Sequence, residues 1–206
     1  MTGRPPVPAA DVAEGDTREQ EQIAAAAVGT LRWRDTTFIE CDLVWSRVGT
    51  VDLSGGRVVD SVVPSPDVEE LAAGDSTWRS ARMVDGRVGA LVLARAHIDS
   101  LSLTGMRIGY LDLRSAAVSD LTVADCRIDT VDLTGGRIER ASFVGCHIGE
   151  LIVSHADLSQ VDLRGAEFGG IDGVAGLRGA TVSPGQLLAL APILADALGV
   201  LVDDEA

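Results

Sequence analysis

The sequence predicts an all-β solenoid, and the repeat that predicts it is clearest between Leu91 and Arg140. This stretch divides into ten lines of five residues: LVLAR AHIDS LSLTG MRIGY LDLRS AAVSD LTVAD CRIDT VDLTG GRIER. The central residue of every line is apolar, the first is apolar or Gly, and the others are mostly polar or Gly. A helix repeats every 3.6 residues and a strand every two, so neither gives a sustained period of five. Two inward residues on one strand face, followed by a turn, do give it, which predicts short strands stacked coil upon coil.

The period of five extends far beyond this window. Stepping by five from Trp33 to Phe168 gives 28 positions, and all of them are apolar. The first residue of the pentads adds a second regularity, because it is Leu or Val at 91, 101, 111, 121, 131, 151 and 161. It is usually Ala, Cys or Gly at the positions halfway between. A ten-residue super-period requires an even number of pentads in each coil.

These pentads resemble the motif of the pentapeptide-repeat family, A-(D/N)-L-x-x. ADLSQ at 156–160 matches the motif fully, while VDLSG, LDLRS, VDLTG and VDLRG keep the Asp-Leu pair behind a larger first residue. The resemblance covers residues 31–180. It implies a right-handed quadrilateral parallel β-helix with four pentads in each coil.

The residues before the repeats are expected to be a tail and a cap. Residues 1–15 are rich in Pro, Ala and acidic residues, which is typical of disorder. Thr17 and Gln20 form a capping-box pattern before the helix-forming stretch EQEQIAAAAV. Residues 1–30 are therefore predicted to be a disordered tail followed by a short helix at 18–28 that covers the open end of the solenoid.

Residues 64–75 interrupt the composition of the repeats without breaking their register. Pro64 and Pro66 cannot donate hydrogen bonds to a ladder, and DVEELAAG has helical character. Two interpretations remain open, a set of degenerate pentads or a loop extruded from one corner, and the composition slightly favours the loop.

Residues 181–206 are not repeats and predict a C-terminal helical cap and dimerisation segment. Ser183 and Gln186 form a capping box around a Pro at the first helical position. We expect a break just before Pro192 and an end at Gly199. The apolar residues that should cover the last coil and contribute to a two-fold dimer are Leu187, Leu190 and Leu194.

Charge and composition exclude several classes of function. The chain has 31 acidic and 17 basic residues, all of the latter Arg, and a formal net charge of −14. Such an acidic surface disfavours direct binding to nucleic acid or anionic membranes. No apolar run approaches the ~20 residues of a membrane span, and no signal-peptide core is present. We expect a cytoplasmic protein that binds another protein.

Residues able to support catalysis or metal binding do not cluster in the sequence. His97, His147 and His155 fall on three different predicted faces, without metal-ligand spacing. The three cysteines have no CxxC spacing, and Cys126 and Cys146 should stack on adjacent coils as free thiols. The sequence therefore predicts no enzyme activity, no cofactor and no metal.

A coil of four pentads would stack outward side chains in columns. One column reads Arg47, Asp67, Arg87, Arg107, Arg127, His147, Glu167. It could be an anion-binding stripe, or a solvated face whose guanidinium groups pair with acids such as Asp85, Asp125 and Asp129. The second interpretation is favoured, because charged faces on solenoids ordinarily provide solubility.

Two functions follow, of which the first is a non-catalytic protein-binding or scaffolding solenoid. The alternative comes from the family resemblance: a DNA mimic that binds DNA gyrase or topoisomerase IV, of the fluoroquinolone-resistance type. Residues 1–30 carry −3 and residues 181–206 carry −4, which leaves −7 for the repeats. B-DNA as long as the repeat region would carry roughly 21 negative charges. Because the repeats carry only a third of that charge, the scaffolding function ranks first. The best candidate residues for mimicry are Asp67, Glu69, Glu70 and Asp75.

Overall fold

The computed structural model describes residues 6–201, which form 24 strands, two short 3-10 helices and one α-helix. The 3-10 helices span Ala9–Asp11 and Val174–Leu177, and the α-helix α1 spans Pro184–Leu198. The strands are β1 (Val7–Pro8), β2 (Thr17–Glu19), β3 (Gln22–Ala26), β4 (Thr30–Arg32), β5 (Thr37–Ile39), β6 (Asp42–Ser46), β7 (Val48–Asp52), β8 (Arg57–Val59), β9 (Val62–Pro64), β10 (Asp67–Ala72), β11 (Thr77–Arg79), β12 (Ala81–Val92), β13 (His97–Ile98), β14 (Leu101–Asp112), β15 (Ala117–Val118), β16 (Leu121–Ala124), β17 (Arg127–Asp132), β18 (Arg137–Ile138), β19 (Ala141–Val144), β20 (Cys146–Ile152), β21 (Asp157–Leu158), β22 (Val161–Asp162), β23 (Ala166–Asp172) and β24 (Ala180–Thr181).

The strands stack in parallel as a β-solenoid of about 9 turns. Partners lie four pentads apart through the body of the molecule, as in Val48↔Val68 and Val68↔Val88. The end coils are shorter. Val7 pairs with Ile23, 16 residues later, and Val161 pairs with Ala180, 19 residues later. The β-solenoid and the coil of four pentads predicted above are thus confirmed.

The central pentad residues form one continuous core. All of the positions from Trp33 to Phe168 in steps of five are buried except Phe168, which packs against the core while partly exposed. Three of the largest side chains, Trp33, Trp45 and Trp78, are almost completely buried. Because the core continues from coil to coil, every coil is stabilised by the apolar surface of its neighbours.

The preference for Asp before the central Leu has a local cause at the corners of the coil. The carboxylates of Asp52, Asp112, Asp132 and Asp162 each accept the backbone N–H of the residue two positions later, at 2.9–3.1 Å. This hydrogen bond closes the turn that follows the strand.

The helix predicted at 18–28 is wrong, because this segment forms β2 and β3. Ile23 pairs with Leu43 and is fully buried, while Gln20 and Ala27 have φ values of 54° that interrupt any helix. The pentad register continues through these residues. The hydrogen bonds and burial gained by pairing with the next coil outweigh their helix propensity.

The described part of the predicted disordered tail, residues 6–15, is also ordered. Ala9 and Val12 are buried against the first coil, and β1 adds to the ladder of β3. Arg18 occupies a central pentad position here, and its guanidinium donates to the carbonyl of Asp11 and to Asp16 at 2.8 Å. This short segment, not a helix, closes the end of the solenoid. Residues 1–5 lie outside the described part of the chain.

The loop favoured for residues 64–75 is wrong as well, and the segment consists of degenerate pentads. Val68, Leu71 and Ala73 are buried in register with the adjacent coils. The ladder continues across the prolines, because the Ser65 N–H donates to the Val84 carbonyl at 2.7 Å and the Pro66 carbonyl accepts from Arg87 at 2.6 Å.

The C-terminal helix begins as predicted and then runs further without a break. Ser183 and Gln186 form the capping box, and Gly199 ends the helix with a φ of 69°. The expected break before Pro192 is wrong: α1 continues through that residue, which forfeits one backbone hydrogen bond on an exposed part of the helix. No helix within residues 6–201 is long and apolar enough to cross a membrane.

Candidate protein-interaction surfaces

One side of the solenoid presents a long parallel ladder made of β7, β10, β14, β17, β20, β23 and the second half of β12. The register joins Asp67 to Arg87, Arg87 to Arg107 and Arg107 to Arg127. It continues from Arg127 to His147 and Glu167. Outward side chains therefore stand in a straight column with one strand spacing, ~4.8 Å, between successive members.

The predicted acidic residues do not form one cluster. Asp67, Glu69 and Glu70 lie on this ladder and are exposed, and within residues 6–201 none of them forms an ion pair. Asp75 lies beyond the next corner and is bound by Arg95, with distances of 2.6 and 2.8 Å. Its hydrogen bond to Arg95 lowers the pKa of the Asp75 carboxyl. The structure thus brings together three of the four candidates.

The Arg column does not have the partners expected for a neutralised face. Arg47, Arg87, Arg107 and Arg127 are all exposed, and the structure contains no side-chain hydrogen bond or ion pair for any of them among the described residues. The pairing expected with Asp85, Asp125 and Asp129 is wrong. Arginines of other columns do find an acid on the next coil, as Arg79 does with Asp99 at 3.0 Å and Arg140 with Asp120 at 3.5 Å.

A shallow furrow runs beside this column, from Arg47 to Glu167. Three consecutive depressions make it up, and neighbouring ones share Arg87 and Gly89 or Arg127. Its floor is low because the outward position two residues after each column member is usually Gly: 49, 89, 109, 149 and 169. A Cβ on Gly109 would lie 2.5 Å from the carbonyl oxygen of Gly89, so any larger residue there would force the two coils apart locally.

A polar network at the next corner of the coil was not anticipated from the sequence. Arg114 binds the buried Asp112 with two hydrogen bonds, at 2.7 and 2.9 Å, and Tyr110 donates to Asp132 at 2.8 Å. Burial and the bond to Asp132 raise the pKa of Tyr110 to about 12. Burial alone would raise the pKa of Asp132, but hydrogen bonds from Thr134 and Tyr110 lower it below its ordinary value.

This network stabilises the corner of the coil. The Arg114 guanidinium pairs with the buried carboxylate of Asp112 and lies 3.9 Å from that of Asp132. The sequence signal that could have found it is the VDL and LDL motifs one coil apart, with a Tyr before the LDL. Elsewhere in the described residues, no group of three or more His, Cys, Asp or Glu side chains could hold a metal ion.

The C-terminal helix packs on the last coil through one edge only. The Gln186 amide donates to the carbonyls of Leu163 and Ala166, at 2.7 Å each, and Leu190 is buried. Leu194 is partly buried, but Leu187 is 51% exposed, so the expectation that it covers the coil is wrong. Other large apolar residues of this segment face solvent: Leu188, Ile193, Leu198, Val200 and Leu201.

The three cysteines are free and buried. As predicted, Cys126 and Cys146 lie one coil apart on the same inward column, and Cys41 belongs to a different side of the coil. The Cys126 thiol lies 3.2 Å from the Ala124 carbonyl oxygen and the Cys146 thiol 3.4 Å from that of Val123.

Comparisons with known proteins found similarity only among solved structures. No protein-family model and no curated protein matches the chain. A trypsin-treated variant of QnrB1, a plasmid-mediated fluoroquinolone resistance protein, is 14% identical with a TM-score of 0.35, over 91% of this chain and 99% of that one. Full-length QnrB1 is 14% identical with a TM-score of 0.26, over 85% of this chain and 100% of that one. HetL is a pentapeptide-repeat protein from the cyanobacterium Nostoc sp. that is involved in heterocyst differentiation regulation. It is 15% identical with a TM-score of 0.24, over 86% of this chain and 94% of that one.

The fold of the chain rests on its own pattern and geometry. Five-residue units place their central residue in the core, successive coils pair at a distance of four pentads, and Asp residues close the corners. These features make the chain a parallel β-solenoid of five-residue repeats, in agreement with its sequence resemblance to the pentapeptide-repeat family.

Proposed function

We propose that the chain is a non-catalytic scaffold that binds a protein partner in the cytoplasm. The observation that carries this proposal is the long ladder face, on which exposed charged side chains stand in straight columns on a rigid, continuous core. Preorganised side chains lose little conformational entropy on binding, which favours recognition of a protein surface. We also infer that the solenoid is quadrilateral, which its four pentads per coil favour, and right-handed, which the resemblance to the pentapeptide-repeat family implies.

The scaffold is tested by capture followed by reconstitution. Full-length tagged chain is used to retain proteins from a lysate of its source organism, and the retained protein is purified and mixed with the chain. A stoichiometric complex in light scattering supports the proposal, and hydroxyl-radical footprinting should show protection on the ladder face. Absence of any stoichiometric complex would refute a scaffold that acts through a protein.

A DNA mimic that binds a type II topoisomerase is a second candidate. The observation that favours it is the exposed pair Glu69 and Glu70, next to Asp67 and without ion pairs among residues 6–201. Against it stand the neutralised Asp75 and the Arg column on the same face. Inhibition of gyrase supercoiling by the wild type, lost on Glu69→Gln/Glu70→Gln and kept on Asp75→Asn, would support this candidate. A flat dose response would remove it.

We further propose that α1 forms a two-fold homodimer. Leu188 and Leu198 are 78% and 77% exposed, and a run of apolar side chains on a terminal helix is unfavourable in water unless a second surface covers it. A second copy of the same helix would present a self-complementary apolar surface.

A further inference from the structure

We propose that the furrow beside Arg87, Arg107 and Arg127 binds a short acidic segment of a protein partner in an extended conformation. This inference deepens the proposed scaffold function and rests on it. The three guanidinium groups are here called the Arg row.

The Arg row is an unusual arrangement for this chain. Three exposed arginines stand on consecutive coils in one column, so each has another cation as its neighbour along the solenoid. Other arginines have an acid one coil away, as Arg79 has Asp99 and Arg95 has Asp75. Like charges side by side repel, and an anion placed among them removes that repulsion.

The donors of the Arg row are available to a ligand. Each guanidinium carries five N–H donors in a planar fork that matches a carboxylate, and none of the three groups donates to the protein within the described residues. The middle depression brings together the three arginines, the exposed Asp129 beside Arg127, and the floor residues Gly89 and Gly109. Because these floor residues have no side chains, the backbone of a bound segment could approach the ladder closely.

The charges along the furrow limit the length of the anion. The Arg row spans two coil steps, or ~10 Å, which corresponds to about three residues of an extended peptide. On one side of it lie Asp67 and Glu69, and on the other His147 is bound to Glu167 at 2.8 Å. A longer polyanion would run onto these carboxylates.

The same charges favour a peptide over a nucleic acid. A duplex would place phosphates against the carboxylates that flank the Arg row and against a chain of net charge −14. A segment with three or four acidic residues in the centre and basic residues at its flanks matches the charges of the Arg row and of the carboxylates on either side of it. Lysine flanks would lie beside Asp67 and Glu69 at one end and Glu167 at the other.

The test uses full-length protein and a fluorescein-labelled peptide with four consecutive glutamates between two lysines. Fluorescence anisotropy at low ionic strength compares the wild type with Arg87→Gln/Arg107→Gln/Arg127→Gln. The matched control is Arg79→Gln/Arg95→Gln/Arg140→Gln, which removes the same formal charge from exposed arginines that already have an acidic partner. Circular dichroism and a thermal melt verify that both variants keep the fold.

We expect the row variant to weaken peptide binding by at least about tenfold and the control by less than about twofold, with affinity falling as salt rises. Equal losses in the two variants, or no binding by the wild type at low salt, would overturn the assignment. So would tighter binding of a duplex oligonucleotide than of the peptide, because the partner would then be a nucleic acid.

The inference and the scaffold proposal can fail separately. If the row variant forms the same stoichiometric complex with a captured partner as the wild type does, the scaffold stands and the furrow assignment is refuted. If the peptide binds through the Arg row while no protein partner is retained, the furrow assignment stands and the scaffold proposal is refuted.

Discussion

The floor of the furrow provides a stringent test of the coil stacking, through the substitution Gly49→Ala. A Cβ at this position would lie 2.4 Å from the carbonyl oxygen of Gly29 on the preceding coil. That oxygen already accepts the N–H of Thr50 at 2.8 Å. Real Cβ atoms essentially never approach closer than 3.0 Å, so the two coils must separate locally by at least 0.6 Å.

The expected change in the free energy of unfolding combines two destabilising contributions with one stabilising contribution. Overpacking of a tightly packed site costs about 1–3 kcal/mol, and lengthening a ladder hydrogen bond removes part of its net ~1 kcal/mol. Alanine also restricts the unfolded chain, which stabilises the protein by about 0.4–1 kcal/mol. We expect Gly49→Ala to lower the free energy of unfolding by about 2 kcal/mol.

Gly74→Ala is the matched control, because it makes the same chemical change in an open place. The nearest atom to its Cβ would be the Ala94 carbonyl oxygen at 3.5 Å, an ordinary contact. We expect this variant to be neutral or up to about 1 kcal/mol more stable than the wild type. Urea denaturation followed by circular dichroism measures both. With a slope of about 2 kcal/mol/M, the midpoint should fall by about 1 M for Gly49→Ala only. Equal midpoints for the two variants would refute the close approach of the coils.

Three further predictions concern charge, thiols and assembly. The hydrogen bond with Arg164 lowers the pKa of Asp162 to about 2, so its stabilising effect is present above its unfolded pKa of ~3.9 and is lost as the pH falls toward 2. Asp162→Asn should therefore lose less stability than the wild type between these two pH values, and parallel denaturation curves at both would contradict this. Thiol titration of unfolded, non-reduced protein should find three free cysteines, and a count of one would reveal a disulfide. Leu188→Glu/Leu198→Glu should convert a dimer to a monomer in light scattering without changing the circular dichroism spectrum, because both side chains are exposed in the single chain; a wild type that is already monomeric would remove the dimer.

The candidate surfaces could be predicted only in part. The sequence placed Arg87, Arg107 and Arg127 in one column, because a fixed coil length converts a spacing of four pentads into adjacency. It did not reveal that these arginines lack partners among residues 6–201, since pairing depends on side-chain directions at the corners, where a neighbouring acid in sequence can point away. The same reason separates Asp75 from the other acidic residues and joins it to Arg95.

The sequence by itself determined the solenoid, its core and an even number of pentads in each coil, while the value of four came from the family resemblance. A period of five admits only one kind of backbone path, and burial of every central residue from Trp33 to Leu163 follows from that path.

The tertiary structure decided the conformation of the segments whose local preferences conflict with those of their neighbours. Residues 18–28 have the composition of a helix and residues 64–75 that of a loop, yet both continue the ladder. The unpaired backbone groups and apolar surface of the adjacent coil offer each of them a template, and the hydrogen bonds and burial gained there exceed the weak intrinsic propensities of the residues. After β24 the local helix signal at Ser183 prevails, and α1 forms.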